Sequence, residues 1–427
     1  MNWLWDPNAR WILGGCMLLG LSSGVLGSFA FLRKRSLLGD ALAHAALPGV
    51  CLAFIITGSR SLGGFLVGAA LAGLVGAACI QVITRYSRVK EDAALGLVLS
   101  VFFGFGIVLL TLIQQSQKAS QAGLDKLVFG QAAAMVSGDV QTMAICAGVV
   151  CLATFALFKE FKLLCFDPGF ARGLGYPTAL LDGLLMLLIV LAVVVGLQAV
   201  GVVLMAAMLI TPAAAARLWT DRLDHMVVFA GLFGALSGAI GTGLSTMTLR
   251  MPTGPLIVLA ATSVFAVSLV AAPRKGLIAR WVRLIRLRRQ VAREHALRSL
   301  YELAEGRSNW TATISVADLA AFRGNVESGL RRVLGELGRE GLVRVEGGSI
   351  ALTESGLNAA YQVARNHRLW EMFLMHEGQL GADHVDRDAD VIEHLLPRPI
   401  VEELERLLVV HGRHPELPPS VHPLRSV

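Results

Sequence analysis

Arg274-Lys-Gly-Leu-Ile-Ala-Arg-Trp-Val-Arg-Leu-Ile-Arg-Leu-Arg-Arg289 divides this chain into two parts of opposite composition. Upstream lies a series of long apolar runs broken by short charged loops. Such runs exceed the roughly 18 residues that a helix needs to cross a bilayer. Downstream the chain is charge-rich and has the composition of a soluble protein. The mean hydropathy is +0.62. Only 16% of residues are charged. The apolar excess therefore sits before residue 275. Within the quoted stretch, bulky apolar residues alternate with arginine at helical spacing, which suits an amphipathic segment lying on anionic membrane lipid. The chain reads as an all-α polytopic membrane bundle followed by soluble domains.

About nine spans are expected, near 11–32, 37–57, 62–84, 93–114, 139–158, 178–197, 200–218, 226–246 and 254–273. With residue 1 outside, eleven basic residues fall in inside loops: Arg33, Lys34, Arg35, Arg85, Arg88, Lys90, Lys159, Lys162, Arg172, Arg217 and Arg222. Five fall outside: Arg10, Arg60, Lys118, Lys126 and Arg250. Positive charge accumulates on the cytoplasmic side, so the tail should be cytoplasmic and the protein a multi-pass resident of the cell membrane. Residues 124–137 are too short and mixed to span, and read as a re-entrant or surface helix. The first apolar run lacks a basic start and is followed by Arg33-Lys34-Arg35, so no cleavable signal peptide is evident. The six cysteines lie in or beside spans without a C-x-x-C pair, which makes them packing residues rather than metal ligands.

Ionisable residues inside a span are costly and mark pathways or partners. Asp40 and His44 lie in Gly39-Asp40-Ala-Leu-Ala-His44-Ala-Ala-Leu-Pro48-Gly49, four apart on one helical face. A carboxylate with an imidazole suits a borderline divalent cation. A packed hydrogen-bonded pair, or a helix start capped by Asp40, are the structural alternatives. Pro48 should bend this helix. Asp182 in the sixth run fits either a pore lining or a helix contact. Glu91 and Asp92 open the fourth span, where acids complement the helix dipole. The loop from Lys159 to Pro177 mixes apolar and charged residues and suits a short amphipathic helix, docked on a partner or lying on lipid.

Four motifs occur in order: Gly39-Asp40 to Pro48-Gly49, Lys90-Glu-Asp-Ala-Ala-Leu-Gly96, Phe158-Lys-Glu160 with Phe166-Asp-Pro168 and Gly173-Leu-Gly175, and Pro252-Thr-Gly254. Residues 8–275 thereby resemble the permease subunits of zinc, manganese and iron ABC importers. The resemblance implies a second permease subunit, identical or not, an extracytoplasmic metal-binding protein and an ATPase. The chain has no G-x-x-x-x-G-K-[ST] loop, so the ATPase would be a separate chain and this one not an enzyme. It further implies that Asp40 and His44 line the metal pathway, and that Phe166, Asp167 and Pro168 belong to the coupling segment that touches the ATPase.

The tail divides into a basic juxtamembrane linker (276–290), a winged-helix domain (291–360) and a small helical domain (361–427), the membrane domain being 1–275. Helices are expected at Ala292–Glu305, Ser315–Ala321 and Asn325–Gly338, with Ser315 as a cap. A hairpin follows at Leu342–Leu352, turning on Gly347-Gly348. Winged helices often read DNA, yet residues 291–427 hold 15 basic and 20 acidic side chains, so no basic footprint exists and nucleic acid is not the expected partner. Beyond the wing, His367 and Glu371 are one turn apart, and Asp390, Glu393 and His394 share a helical face, as metal ligands on helices do.

Residues 290–415 resemble the iron- and manganese-dependent regulators related to diphtheria toxin repressor. The resemblance implies a metal-binding and dimerisation domain with ligands at His367, Glu371, Asp390, Glu393 and His394, and a further one at His295. Asp390, acidic rather than cysteine, favours manganese. Arg298 departs from the pattern, standing where manganese-type members carry an acid, and Asp386 replaces a ligand histidine. The expected function is a permease for a divalent metal (manganese, zinc or iron, with manganese favoured) carrying a metal-sensing tail. The alternative is a membrane-anchored, metal-dependent transcription regulator.

Overall fold

The computed structural model describes residues 7–376, with interruptions at 36, 59–61, 116–134, 136, 248–250, 308, 311–312 and 324–326, together with residue 406. It forms two compact units, Met1–Arg280 and Trp281–Val427. Most of the segment expected to be re-entrant, and Asp386, Asp390, Glu393 and His394, lie outside the described residues.

The first unit is helical: α1 (Pro7–Leu32), α2 (Leu38–Thr57), α3 (Leu62–Tyr86), α4 (Glu91–Gln115), α5 (Ser137–Ala156), the short α6 (Phe158–Phe166) and α7 (Pro168–Gly173), then α8 (Thr178–Val200), α9 (Val202–Trp219), α10 (Leu223–Met247) and α11 (Thr253–Ala271). Among the described residues, eight helices are long and apolar enough to cross a membrane, and these are α1 to α5, α8, α10 and α11. The span expected at 200–218 corresponds to α9, an apolar helix of 18 residues. Only Gly201 separates α8 from α9, at φ +88°, a conformation that glycine adopts without a Cβ penalty. Met205, Met208, Leu209 and Ala213 of α9 are fully buried, so this helix is matched to protein more than to lipid.

Helix ends sort onto a common face. The C-terminal end of α1 meets α6 through Phe29 and Phe161, whose rings lie edge to face 5.6 Å apart. Arg33 and Arg35, just after α1, bond Asp182 at the start of α8, and Arg35 also pairs with Glu91 at the start of α4. Helices α1 and α10 run antiparallel, with Gly20 against Gly234 and Gly24 against Ala230. That brings the start of α10 to the same end. Asp221, just before α10, pairs with Lys275, just after α11. The loops expected inside thus gather at one end of the bundle, and the chain leaves the membrane there.

In lipid the hydrophobic effect cannot hold helices together, so close packing of small residues must. At the α1–α10 seam a methyl on Gly20 would run into the Gly234 carbonyl, one on Gly24 into the Ala230 carbonyl, and one on Gly238 into the Cys16 carbonyl. The α2–α3 seam repeats the device with Gly49 and Gly68.

The second unit opens within α12 (Leu277–Gly306), followed by β1 (Ile314–Ser315), α13 (Val316–Arg323), α14 (Glu327–Arg339), β2 (Val343–Glu346), β3 (Ser349–Leu352) and α15 (Glu354–His376). The expected linker and first soluble helix are one continuous helix, because nothing between Leu277 and Gly306 is a glycine or proline that would break it. Ser315 accepts a hydrogen bond from the Ala317 amide, close to the cap expected of it. The hairpin turns at Gly347 and Gly348, both at positive φ (+56° and +86°), as a two-residue turn matched to strand twist requires. The three strands are antiparallel in the order β1-β3-β2. Three helices and this hairpin, in the order expected from the sequence, enclose a core of Leu300, Ile314, Leu319, Leu334, Leu337 and Ile350.

Gly234→Val should lower the thermal stability of the detergent-solubilised protein by about 3 kcal/mol, the upper part of the overpacking range, because the obstacle is a backbone carbonyl. Gly14→Ala, whose added methyl meets nothing within 4 Å, should leave the melting temperature unchanged or slightly raised.

Candidate functional site

Asp40 and His44 lie on the first two turns of α2. The helix begins at Leu37 without a side-chain cap, so Asp40 is not spent on capping. The His44 Nε2 lies 3.3 Å from Asp40 Oδ1. The imidazole is held edge to face against Phe103 of α4, with centroids 4.7 Å apart. Its Nδ1 is buried and lacks a hydrogen-bond partner among the described residues. A buried polar atom is costly unless bonded, and among the described residues this nitrogen keeps the capacity for one further contact. The Asp40 side chain is 33% exposed and the His44 side chain 15%. The sequence-predicted pair is thus assembled, oriented by an aromatic ring and open on one side. Pro48 lies inside α2.

A second polar site, of which the sequence singled out Asp182 but not its partners, lies at the end of the bundle. Asp182 is a helix contact rather than a pore lining. Arg35 Nη1 donates to its Oδ1 at 2.8 Å and Nη2 to its Oδ2 at 3.4 Å, while Arg33 donates to the same Oδ1. With Glu91, two guanidinium and two carboxylate groups form a neutral cluster, and Arg35 is buried at 8% exposure. The cluster ties the α1–α2 turn, three residues before α2 begins, to the starts of α4 and α8. Sequence reasoning counted Arg33 and Arg35 as orientation signals and Glu91 as a dipole partner. The facing acids are 56 and 147 residues from Arg35, a separation that no local pattern records.

The segment expected to couple to an ATPase folds as α6 and α7. Phe161 and Leu164 are buried and anchor it. Asp167 caps α7, accepting from the Phe170 amide at 2.8 Å, and Pro168 occupies the first turn. Asp167 and Pro168 therefore shape the corner, while Phe166 and Phe170, both 58% exposed, present its apolar surface. Phe170 was not picked out from the sequence.

In the second unit His367 and Glu371 come together on α15, with Nε2 3.2 Å from Oε1 and both side chains buried. Their neighbour is Arg298 of α12, whose Nη1 lies 2.6 Å from His367 Nδ1 and 3.0 Å from Nε2. Arg298 Nε also lies 3.4 Å from Glu302. His295 lies three residues before Arg298 on the same helix. Nearby, Arg368 is buried and paired with Glu305, tying α15 to α12. Among the described residues no group of three or more His, Cys, Asp or Glu side chains could hold a metal ion.

Residues 7–272 match the family model described as "ABC 3 transport family". The chain belongs to this family. Residues 353–421 match a second model, "Iron dependent repressor, metal binding and dimerisation domain". The manganese transport system membrane protein MntC of Bacillus subtilis is 49% identical over 421 residues, covering 98% of this chain and 96% of that protein. The zinc transport system membrane protein TroC of Treponema pallidum is 46% identical over 273 residues, covering 64% of this chain and 92% of that one. The solved structure of PsaBC from Streptococcus pneumoniae in complex with Fab is similar at a TM-score of 0.57 and 32% identity, over 66% of this chain and 97% of that one. The ABC 3 chain is therefore a multi-pass membrane permease to which a repressor-like domain is fused. The resemblances read from the sequence hold for both parts.

Within this ABC 3 permease the charge cluster should be structural. Asp182→Asn removes the carboxylate that Arg33 and Arg35 share and leaves two guanidinium groups with Glu91 as the remaining acid of the cluster, a change that costs about 3 kcal/mol, the lower end of the range for a broken buried pair. The expected result is a lower melting temperature in detergent and reduced accumulation in membranes. An unchanged melting temperature would show that the cluster adds no stability.

Proposed function

We propose that the chain is the membrane subunit of an ATP-driven importer of a divalent metal ion, with manganese favoured over zinc and iron. The carrying observation is the Asp40–His44 pair, with an imidazole nitrogen that has no partner among the described residues, inside a bundle of the ABC 3 family. One carboxylate and one neutral nitrogen offer a transient site that holds a borderline cation without trapping it. The relatives named for manganese and zinc transport support the substrate class.

ATP hydrolysis belongs to a separate ATPase chain, whose surface meets the exposed Phe166 and Phe170 of the α6–α7 corner. Aromatic anchors beside a capped turn fit such a groove-filling contact. The corner rests on α1 through Phe29 and Phe161, and α1 is tied by Arg33 and Arg35 to α8 and α4. A push on the corner thereby reaches the turn from which α2 and the metal pair start. A second permease subunit completes the pathway, and an extracytoplasmic metal-binding protein delivers the ion. The excess of basic residues on the tail's side supports a cytoplasmic tail in the cell membrane. The arginine-rich start of α12 lies against anionic lipid. The tail's match to a metal-binding and dimerisation domain supports a role in sensing cytoplasmic metal, with His295, His367, Glu371, Asp390, Glu393 and His394 as the candidate ligands.

Asp40→Asn and His44→Ala should each reduce uptake of radioactive manganese at least tenfold in vesicles holding the whole transporter, with membrane levels of the chain unchanged. Uptake retained in both variants would remove the pair from the pathway. Phe170→Ala should lose uptake while metal binding to the chain persists, and ATPase co-purification should fall with it.

A further inference from the structure

We propose that Arg298 is a built-in cation that takes the place of a divalent metal beside His367 and Glu371, so that this part of the cytoplasmic domain is tied together without metal. The inference deepens the sensing role proposed above, since it says which of the candidate ligands remain for sensing.

The geometry is that of a filled site. His367 and Glu371 are both buried, one helical turn apart on α15, as a pair of metal ligands would be. The position that a metal would take next to the imidazole is held by a guanidinium from another helix, with Nη1 2.6 Å from His367 Nδ1. A guanidinium has only donors, and Nη1 lies within reach of both ring nitrogens, 2.6 Å from Nδ1 and 3.0 Å from Nε2, so the nitrogen that carries the lone pair faces it in either tautomer, with Glu371 Oε1 3.2 Å from Nε2. The imidazole lone pair that would bind a metal is thus already engaged. Glu302, one turn after Arg298, lies 3.4 Å from the Arg298 Nε and adds its negative charge to the guanidinium.

Arginine is the side chain suited to this role. Its charge survives at any physiological pH, so it cannot vacate the site by losing a proton as a lysine could. A metal could reach His367 only by expelling the guanidinium from a largely buried position, where the Arg298 side chain is 11% exposed. The residues present therefore do not fit a metal at His367 and Glu371. Metal sensing would rest on the remaining candidates, His295, Asp390, Glu393 and His394.

The test is manganese and zinc titration of the full chain in detergent, in an Asp40→Ala/His44→Ala background that removes the proposed transport pair. His367→Ala should leave the metal stoichiometry unchanged and the affinity within about twofold. A lost site, or a tenfold weaker one, would overturn the proposal. Arg298→Glu should gain one manganese per chain, and that gain should vanish when His367→Ala is added. A folded Arg298→Glu chain that gains nothing would also overturn it. Where that variant does not fold, Arg298→Gln, which removes the charge and keeps most of the packing, should bind manganese at least tenfold more tightly than the parent, and no tightening would overturn the proposal. Glu393→Ala/His394→Ala reads the sensing role separately. If the parent tail binds no metal and Arg298→Glu still gains a His367-dependent site, the sensing reading fails and the built-in cation stands.

Discussion

Small residues set the distance between helices in this membrane unit, and the polar chemistry depends on that distance. Lipid offers a helix the same apolar surroundings as a neighbouring helix, so association rests on packing and on polar contacts. Gly20, Gly24, Gly234 and Gly238 let α1 and α10 approach until carbonyl oxygens of one lie where side chains of the other would be. With α1 held in this way, the turn after it delivers Arg33 and Arg35 to Asp182 and Glu91. That turn leads directly into α2, which carries Asp40 and His44.

The charged groups in the two units illustrate one rule in different settings. A charge taken from water must be paired, since its desolvation is expensive. In the membrane unit four charges cancel at the end of the bundle where the inside loops gather. In the second unit Arg368 pairs with Glu305 and Arg298 with Glu302 and His367. The Asp40–His44 pair is different because it is incomplete. It has one partly exposed carboxylate and one nitrogen lacking a hydrogen-bond partner among the described residues, the two features on which the proposed metal pathway rests.

Helices and hairpin were legible in the sequence because their signals are local. Apolar run length predicted the spans, and the Gly347-Gly348 turn predicted the wing. The run at 200–218 also folds as a helix, α9, in which Met205, Met208 and Leu209 are fully covered. The basic stretch at 276–290 is continuous with the first soluble helix. Its arginine-rich composition differs from that of residues 291–306, yet helix continuity depends on the absence of breakers, and none is present.

The sequence by itself determined the division at residue 275, the two family resemblances, the face on which charged loops gather and the i,i+4 spacing that unites Asp40 with His44 and His367 with Glu371. All of these follow from composition or from periodicity within one helix. Only the tertiary structure decided which charges meet: Asp182 with Arg33 and Arg35, Glu91 with Arg35, His44 with Phe103 and Arg298 with His367. These partners sit on different elements, 56 to 149 residues apart, and their meeting is set by helix packing rather than by any spacing along the chain.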